Sequence, residues 1–124
     1  MTKNKDSTRY FSTRQEESVC KVVNGHRTAN SGAGLWNKSD VYNKEASLCV
    51  ECKTPMSEKS SFSIKKEWIE KNRKESKDGR FENAVLAFNF EPDGENFFVI
   101  DSKLMKFLVE RLEEYNQLRL SATW

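Results

Sequence analysis

Residues 83–90, NAVLAFNF, form a near-continuous apolar run, and no other stretch constrains the fold as much. A run of this kind reads as a buried strand, so it belongs inside a sheet that other elements cover. The turn EPDGE follows, then NFFVI at 96–100, which gives a hairpin-like pair. Earlier in the chain LCVECK, residues 48–53, alternates. Leu48, Val50 and Cys52 fall on one side, and Cys49, Glu51 and Lys53 on the other. A strand is expected over about 46–53, ended at Thr54-Pro55 because proline cannot continue the ladder. A shorter strand is expected around 40–42, with a turn at Asn43-Lys44-Glu45.

Helical spacing supplies the remaining elements. Glu16, Val19, Cys20 and Val23 share one face of a helix that starts at Thr13 and stops at Asn24-Gly25. Glu16 is therefore in line with the residues that this helix buries, whereas Glu17 is rotated away. A carboxylate on the core side is costly unless something compensates it. Ser63 is expected to cap a second helix from Ile64 to about Lys77, anchored by Ile64, Trp68 and Ile69. Its other faces carry Lys65, Lys66, Lys71, Arg73, Lys74 and Lys77. A closing helix, capped by Asp101 or Ser102, has a stripe of Leu104, Phe107, Leu108, Arg111, Leu112 and Tyr115. The expected order is α-β-β-α-β-β-α: one α/β domain over residues 13–124, a mixed sheet flanked by helices. Residues 1–12 are expected to be a flexible basic tail.

The 124 residues suit a single domain, and a dimer interface would help a core of this size. No apolar run approaches the roughly 20 residues of a membrane helix. The first 15 residues contain no apolar segment, so no secretory leader is expected and a cytoplasmic protein is the default. The net charge is only +2, but it is unevenly spread. Residues 1–80 hold 17 Lys/Arg against 11 Asp/Glu, and residues 81–124 hold 4 against 8. That asymmetry fits an anionic partner on one side, although a charge run is also what a solvated face looks like.

Cys20, Cys49 and Cys52 are the three cysteines. CVEC matches a zinc-ligand spacing, with His26 as a further donor, yet strand residues three apart point to opposite faces. Reduced, buried thiols are the expectation.

The chemistry-bearing cluster is Asp40, Glu51 and Lys53. If the two strands are neighbours, Asp40 and Glu51 converge, and a divalent cation relieves their repulsion. Mg²⁺ takes hard oxygen ligands, commonly one or two carboxylates, and leaves positions for water and phosphate. Such an ion polarises a phosphoryl oxygen and helps to generate hydroxide. Lys53 can orient or deprotonate the attacking water, and the carbonyl of Cys52 is a further possible ligand. A surface ion pair at a sheet edge would carry the same residues. Three features favour the metal site: Glu16 on the buried side of its helix, the glycine-rich NSGAG loop suited to phosphate approach, and the basic helix that follows.

The segments QEESVCKVVNG, NSGAGLWNKSDV and LCVECKT, with SFSIKKEWIEKNRKES and NAVLAFNF after them, resemble the PD-(D/E)-x-K nuclease superfamily. The similarity is greater to archaeal Holliday junction resolvases and their small phage relatives, and it spans about residues 13–110. It implies a restriction-endonuclease-like fold and a Mg²⁺-dependent DNA endonuclease (Mn²⁺ substituting) that cuts four-way junctions as a homodimer. By position it implies Asp40 and Glu51 as metal ligands with Glu16 and Cys52, and Lys53 as the catalytic lysine. Ser31 falls where the family has a serine near the scissile phosphate. Lys38-Ser39 stands where the superfamily name expects proline. A relative that nicks or restricts duplex DNA, and a non-catalytic DNA-binding module, remain alternatives.

Further DNA contacts are expected from Lys38, Lys65, Lys66, Arg73 and Lys74. Trp36 suits either stacking on a base or covering the end of the core. Trp68 is read as core or dimer interface, and His26 as an exposed loop residue.

Overall fold

The computed structural model describes residues 8–28 and 39–122. The elements are α1 (Thr8–Val23), β1 (His26–Arg27), β2 (Val41–Asn43), β3 (Leu48–Lys53), α2 (Lys66–Asp78), β4 (Asn83–Phe88), β5 (Phe97–Val99) and α3 (Ser102–Ala122). The five strands form one sheet in the order β1-β2-β3-β4-β5. Only β3 and β4 run parallel, and α2 is the crossover that a parallel pair requires. The expected mixed α/β sheet with flanking helices is therefore present.

The element order gains a strand over the expectation. β1 has two exposed polar residues and is held by backbone pairing of His26 with Tyr42 and of Arg27 with Val41. Nothing in its side chains signals a strand, and His26 sits on this edge strand rather than in a loop. The first helix also begins earlier, so residues 8–12, expected in the tail, are helical. The Arg14–Asp93 ion pair at 2.6 Å holds its N-terminal half to the turn before β5.

The apolar core lies between α1 and one face of the sheet. Val19, Val41, Val50, Val85 and Ala87 are buried together, with Cys20, Val23, Leu48, Cys52, Phe98 and Ile100 packed around them. Period-two alternation puts Cys49 on the opposite face, where its thiol meets Asn72 of α2 at 3.9 Å. Cys49 and Cys52 thus point to opposite sides of β3.

α2 packs differently from the expectation. It starts at Lys66 with Lys65 at the cap position and no side-chain cap from Ser63. Its buried positions are Asn72 and Ser76, while Trp68 and Ile69 are half-buried. Asn72 Nδ2 donates to the Val85 carbonyl at 2.9 Å, and the Ser76 hydroxyl donates to the Phe81 carbonyl at 2.9 Å. The helix is thus held to β4 by satisfied polar contacts as well as by apolar area.

At Asn24-Gly25 the chain leaves α1. Asn24 takes the left-handed conformation (φ 51°), and a Cβ on Gly25 would lie 2.7 Å from the Tyr42 carbonyl oxygen. Glycine is needed there for the close approach of β2. Buried Asn43 secures the same junction. Its Nδ2 donates to the carbonyls of Val23 and Asn24, and its Oδ1 accepts from the Ala46 N–H at 3.0 Å.

Candidate metal and phosphodiester site

The antiparallel register of β2 and β3 pairs Val41 with Val50. Continued by one residue, it puts Asp40 opposite Glu51. Asp40 Oδ2 accepts the backbone N–H of Cys52 at 2.8 Å, which fixes the carboxylate against the C-terminal end of β3. Two residues along that strand, and on the same side as Glu51, Lys53 brings Nζ to 3.6 Å from Glu51 Oε1.

Lys53 has a second constraint. Its Nζ lies 4.5 Å from the centroid of the Trp68 ring, whose π face attracts a cation. Trp68 in turn rests on Phe62, with centroids 6.2 Å apart. Trp68 is thus neither plain core nor free surface: it seats the lysine. Lys65 Nζ approaches the same ring at 5.5 Å. The residue spacing on α2 contains Trp68, but only the crossing of α2 over β3 reveals what it faces.

The electrostatics mark this end of the sheet as acidic and crowded. Burial, and then the charge of Asp40, raise the Glu51 carboxyl to about 7. Burial raises Asp40 as well, against the opposing pull of the Cys52 N–H, Lys53 and Lys71. Glu16 is raised by burial and next by Asp40, although Arg27 Nε lies 3.1 Å from its Oε1. Glu16 and Glu51, from different segments, therefore both feel Asp40, and each of the three carboxyls resists ionisation more than a solvated acid does. The Cys52 thiol is pushed far up by burial, so a donor from this residue is its carbonyl rather than a thiolate.

Among the described residues, no group of three or more His, Cys, Asp or Glu side chains gathers at metal-binding spacing. The hard-oxygen donors that the chain offers are Asp40, Glu51 and the Cys52 carbonyl, with Glu16 in the outer environment on Arg27. Two carboxylates that share a partly buried place and repel each other suit Mg²⁺, which keeps several waters and takes one or two carboxylates.

Two residues that sequence reasoning left out contribute to the same field. Arg27 pairs with Glu16, and its charge also reaches Asp40. Lys71, counted before only as part of a basic helix, lowers both Asp40 and Glu51. A lysine one turn beyond Trp68 was the available signal, since i and i+3 share a helix face.

The expected DNA contacts separate. Ser31, Trp36 and Lys38 lie outside the described residues. Lys65, Lys66 and Lys74 are exposed on or just before α2. Arg73 turns away from the acids to Asp101, 3.7 Å distant, and lines a cavity of about 490 Å³ with Lys77, Arg80 and Lys103. No family model, curated protein or solved structure matches this chain.

Proposed function

We propose that this protein is a Mg²⁺-dependent DNA endonuclease with a restriction-endonuclease-like fold, acting on four-way junctions as a homodimer. The observation that carries the reading is the meeting of Asp40, Glu51 and Lys53 at one end of β2 and β3. Lys53 lies 3.6 Å from Glu51, and Asp40 is pinned to the Cys52 N–H at 2.8 Å. An acid pair with an adjacent ammonium is the constellation that metal-assisted phosphodiester hydrolysis uses.

When bound, Mg²⁺ supplies Lewis-acid polarisation of the phosphoryl oxygen and a water of lowered pKa. Asp40, Glu51 and the Cys52 carbonyl would hold it, and Mn²⁺ would fit the same oxygens. Lys53, placed by Glu51 and the Trp68 ring, orients the attacking water and offsets negative charge that grows on the phosphate. Glu16, with Arg27, adjusts the field around Asp40. Ser31, Trp36 and Lys38 would meet DNA near the cut, and Lys65, Lys66, Arg73 and Lys74 would engage phosphates beyond it. The junction, rather than linear duplex, is proposed from the resemblance to resolvases. Two-fold symmetry in a dimer matches a pair of opposed strands.

The test is cleavage of a synthetic four-way junction and of a linear duplex, with and without Mg²⁺, by the wild type, Asp40→Asn and Glu51→Gln. Junction cleavage that needs Mg²⁺ and is lost in both variants, with junction binding retained, is the expected result. Variants that still cut would overturn the site. Cutting of duplex alone would reassign the substrate, and binding indifferent to Mg²⁺ without cleavage would make the chain a DNA-binding module.

A further inference from the structure

The sheet face that α1 covers is only half covered. α1 packs on Val41, Val50 and Val85 through Val19, while on the β5 side Phe98 and the following Ile100 stay partly exposed. There an apolar groove of about 700 Å³ is lined by Val22, Leu48, Val85, Phe98, Ile100 and Leu104, among others. Strand residues of this kind are ordinarily sealed by a helix.

The same chain presents an apolar helix that packs on this core only through Leu104, among the described residues. Among the described residues α3 buries no side chain, and only Leu104 in its first turn is half-buried. Met105, Phe107, Leu108, Val109, Leu112, Tyr115 and Leu118 are 40% to 70% exposed. Phe107, Leu108, Leu112, Tyr115 and Leu118 fall on one stripe, and Met105 and Val109 widen it to about half of the circumference. At ~1.5 Å per residue, 21 residues reach roughly 30 Å. Leu104, Phe107 and Leu108 touch the groove edge, while the helix beyond them runs clear of it.

We propose that α3 and this groove are the two halves of one self-association surface: each protomer lays α3 over its partner's open sheet face, about a two-fold axis. Both halves are on one chain, which is what an isologous interface requires. The area is also of the right size. Seven large side chains exposing on the order of 100 Å² each give roughly 700 Å² per protomer, near the ~800 Å² per partner of a standard stable interface. This is the surface that would form the homodimer of the proposed function, which the inference takes up; because it is separate from the acidic site, a failed dimer test and a failed cleavage test are distinguishable.

The test uses full-length protein in sedimentation equilibrium over a wide concentration range, with circular dichroism melts to confirm folding. One variant carries Leu112→Glu and Leu118→Glu, and another carries Val22→Glu. All three positions are at least 59% exposed in the single protomer, so the domain itself should keep its fold. The wild type should be a dimer, and each variant should dissociate at least 100-fold more readily. Mixed together, the two variants should associate better than either alone, since one intact α3 then meets one intact groove. A monomeric wild type, whether α3 folds back on its own sheet or awaits a different protein, overturns the proposal. So does a dimer that either variant leaves intact, or a mixture no tighter than its parts.

Discussion

The two ends of β3 are built on opposite terms. At the Leu48 end, polar groups are matched. Asn43 closes the end of α1 and the β2–β3 turn, the Ser47 hydroxyl accepts the Glu82 N–H at 2.8 Å, and Asn83 Nδ2 donates to the Ser47 carbonyl at 3.1 Å. At the Lys53 end, like charges are pressed together and Glu51 is pushed up to about 7. There too, the Oε1 atom of buried Gln15 has no hydrogen-bond partner among the described residues, while its Nε2 donates to the Lys53 carbonyl at 2.7 Å. One end of the strand spends its polarity on stability. The other leaves like charges close together, a pattern that functional sites commonly share.

Substitutions can sharpen that contrast, beginning with the largest effect. Lys53→Met should lower junction cleavage by about 100-fold or more and leave the melting temperature nearly unchanged, as single-turnover assays and calorimetry would show. If melting falls instead, the lysine is structural.

The pH response should separate the two ends next. Glu51 holds its proton up to about 7 in the folded chain, against 4.5 ordinarily, so the folded state binds the extra proton. In EDTA, stability should therefore fall as pH rises from 4.5 to 7 and level off above, by up to about 3 kcal/mol. Denaturant titrations should show that slope flattened in Glu51→Gln. A slope that persists would place the titration elsewhere.

Asn43→Ala is the matching experiment at the other end. It removes donors to two helix-end carbonyls and should cost about 2 kcal/mol, with cleavage per folded molecule unchanged. The smallest effect belongs to Trp68→Leu. Losing a cation–π seat worth roughly 0.5–1 kcal/mol should slow cleavage only about 2–5-fold and leave Mg²⁺ affinity as it was by calorimetric titration.

Much of this was legible in the chain itself. Alternation in LCVECK placed Glu51 and Lys53 on one side of β3, because the period of a strand is fixed by its backbone. The apolar run at 83–90 announced the strand at the centre of the parallel pair. Less was legible where partners decide. β1 has no apolar signature, since it is only backbone pairing. Residues 8–12 are helical although their polar composition and lack of periodicity gave no helical signal. Trp68 was readable only as core or dimer interface, since a ring beneath a lysine needs both elements in place. The stripe on α3 said that the helix wants an apolar surface, without saying whose.

The order of assembly has a bearing on the acids. Asp40 and Glu51 belong to one tight hairpin, which closes a short loop and forms quickly. Trp68 and β4 are reached only through the longer crossover that contains α2. Were the hairpin to close first, its negative groups would meet before the lysine has its aromatic rest and before the parallel strand is added. A divalent ion present during refolding would ease that early repulsion, so the candidate cofactor would also act as a folding aid.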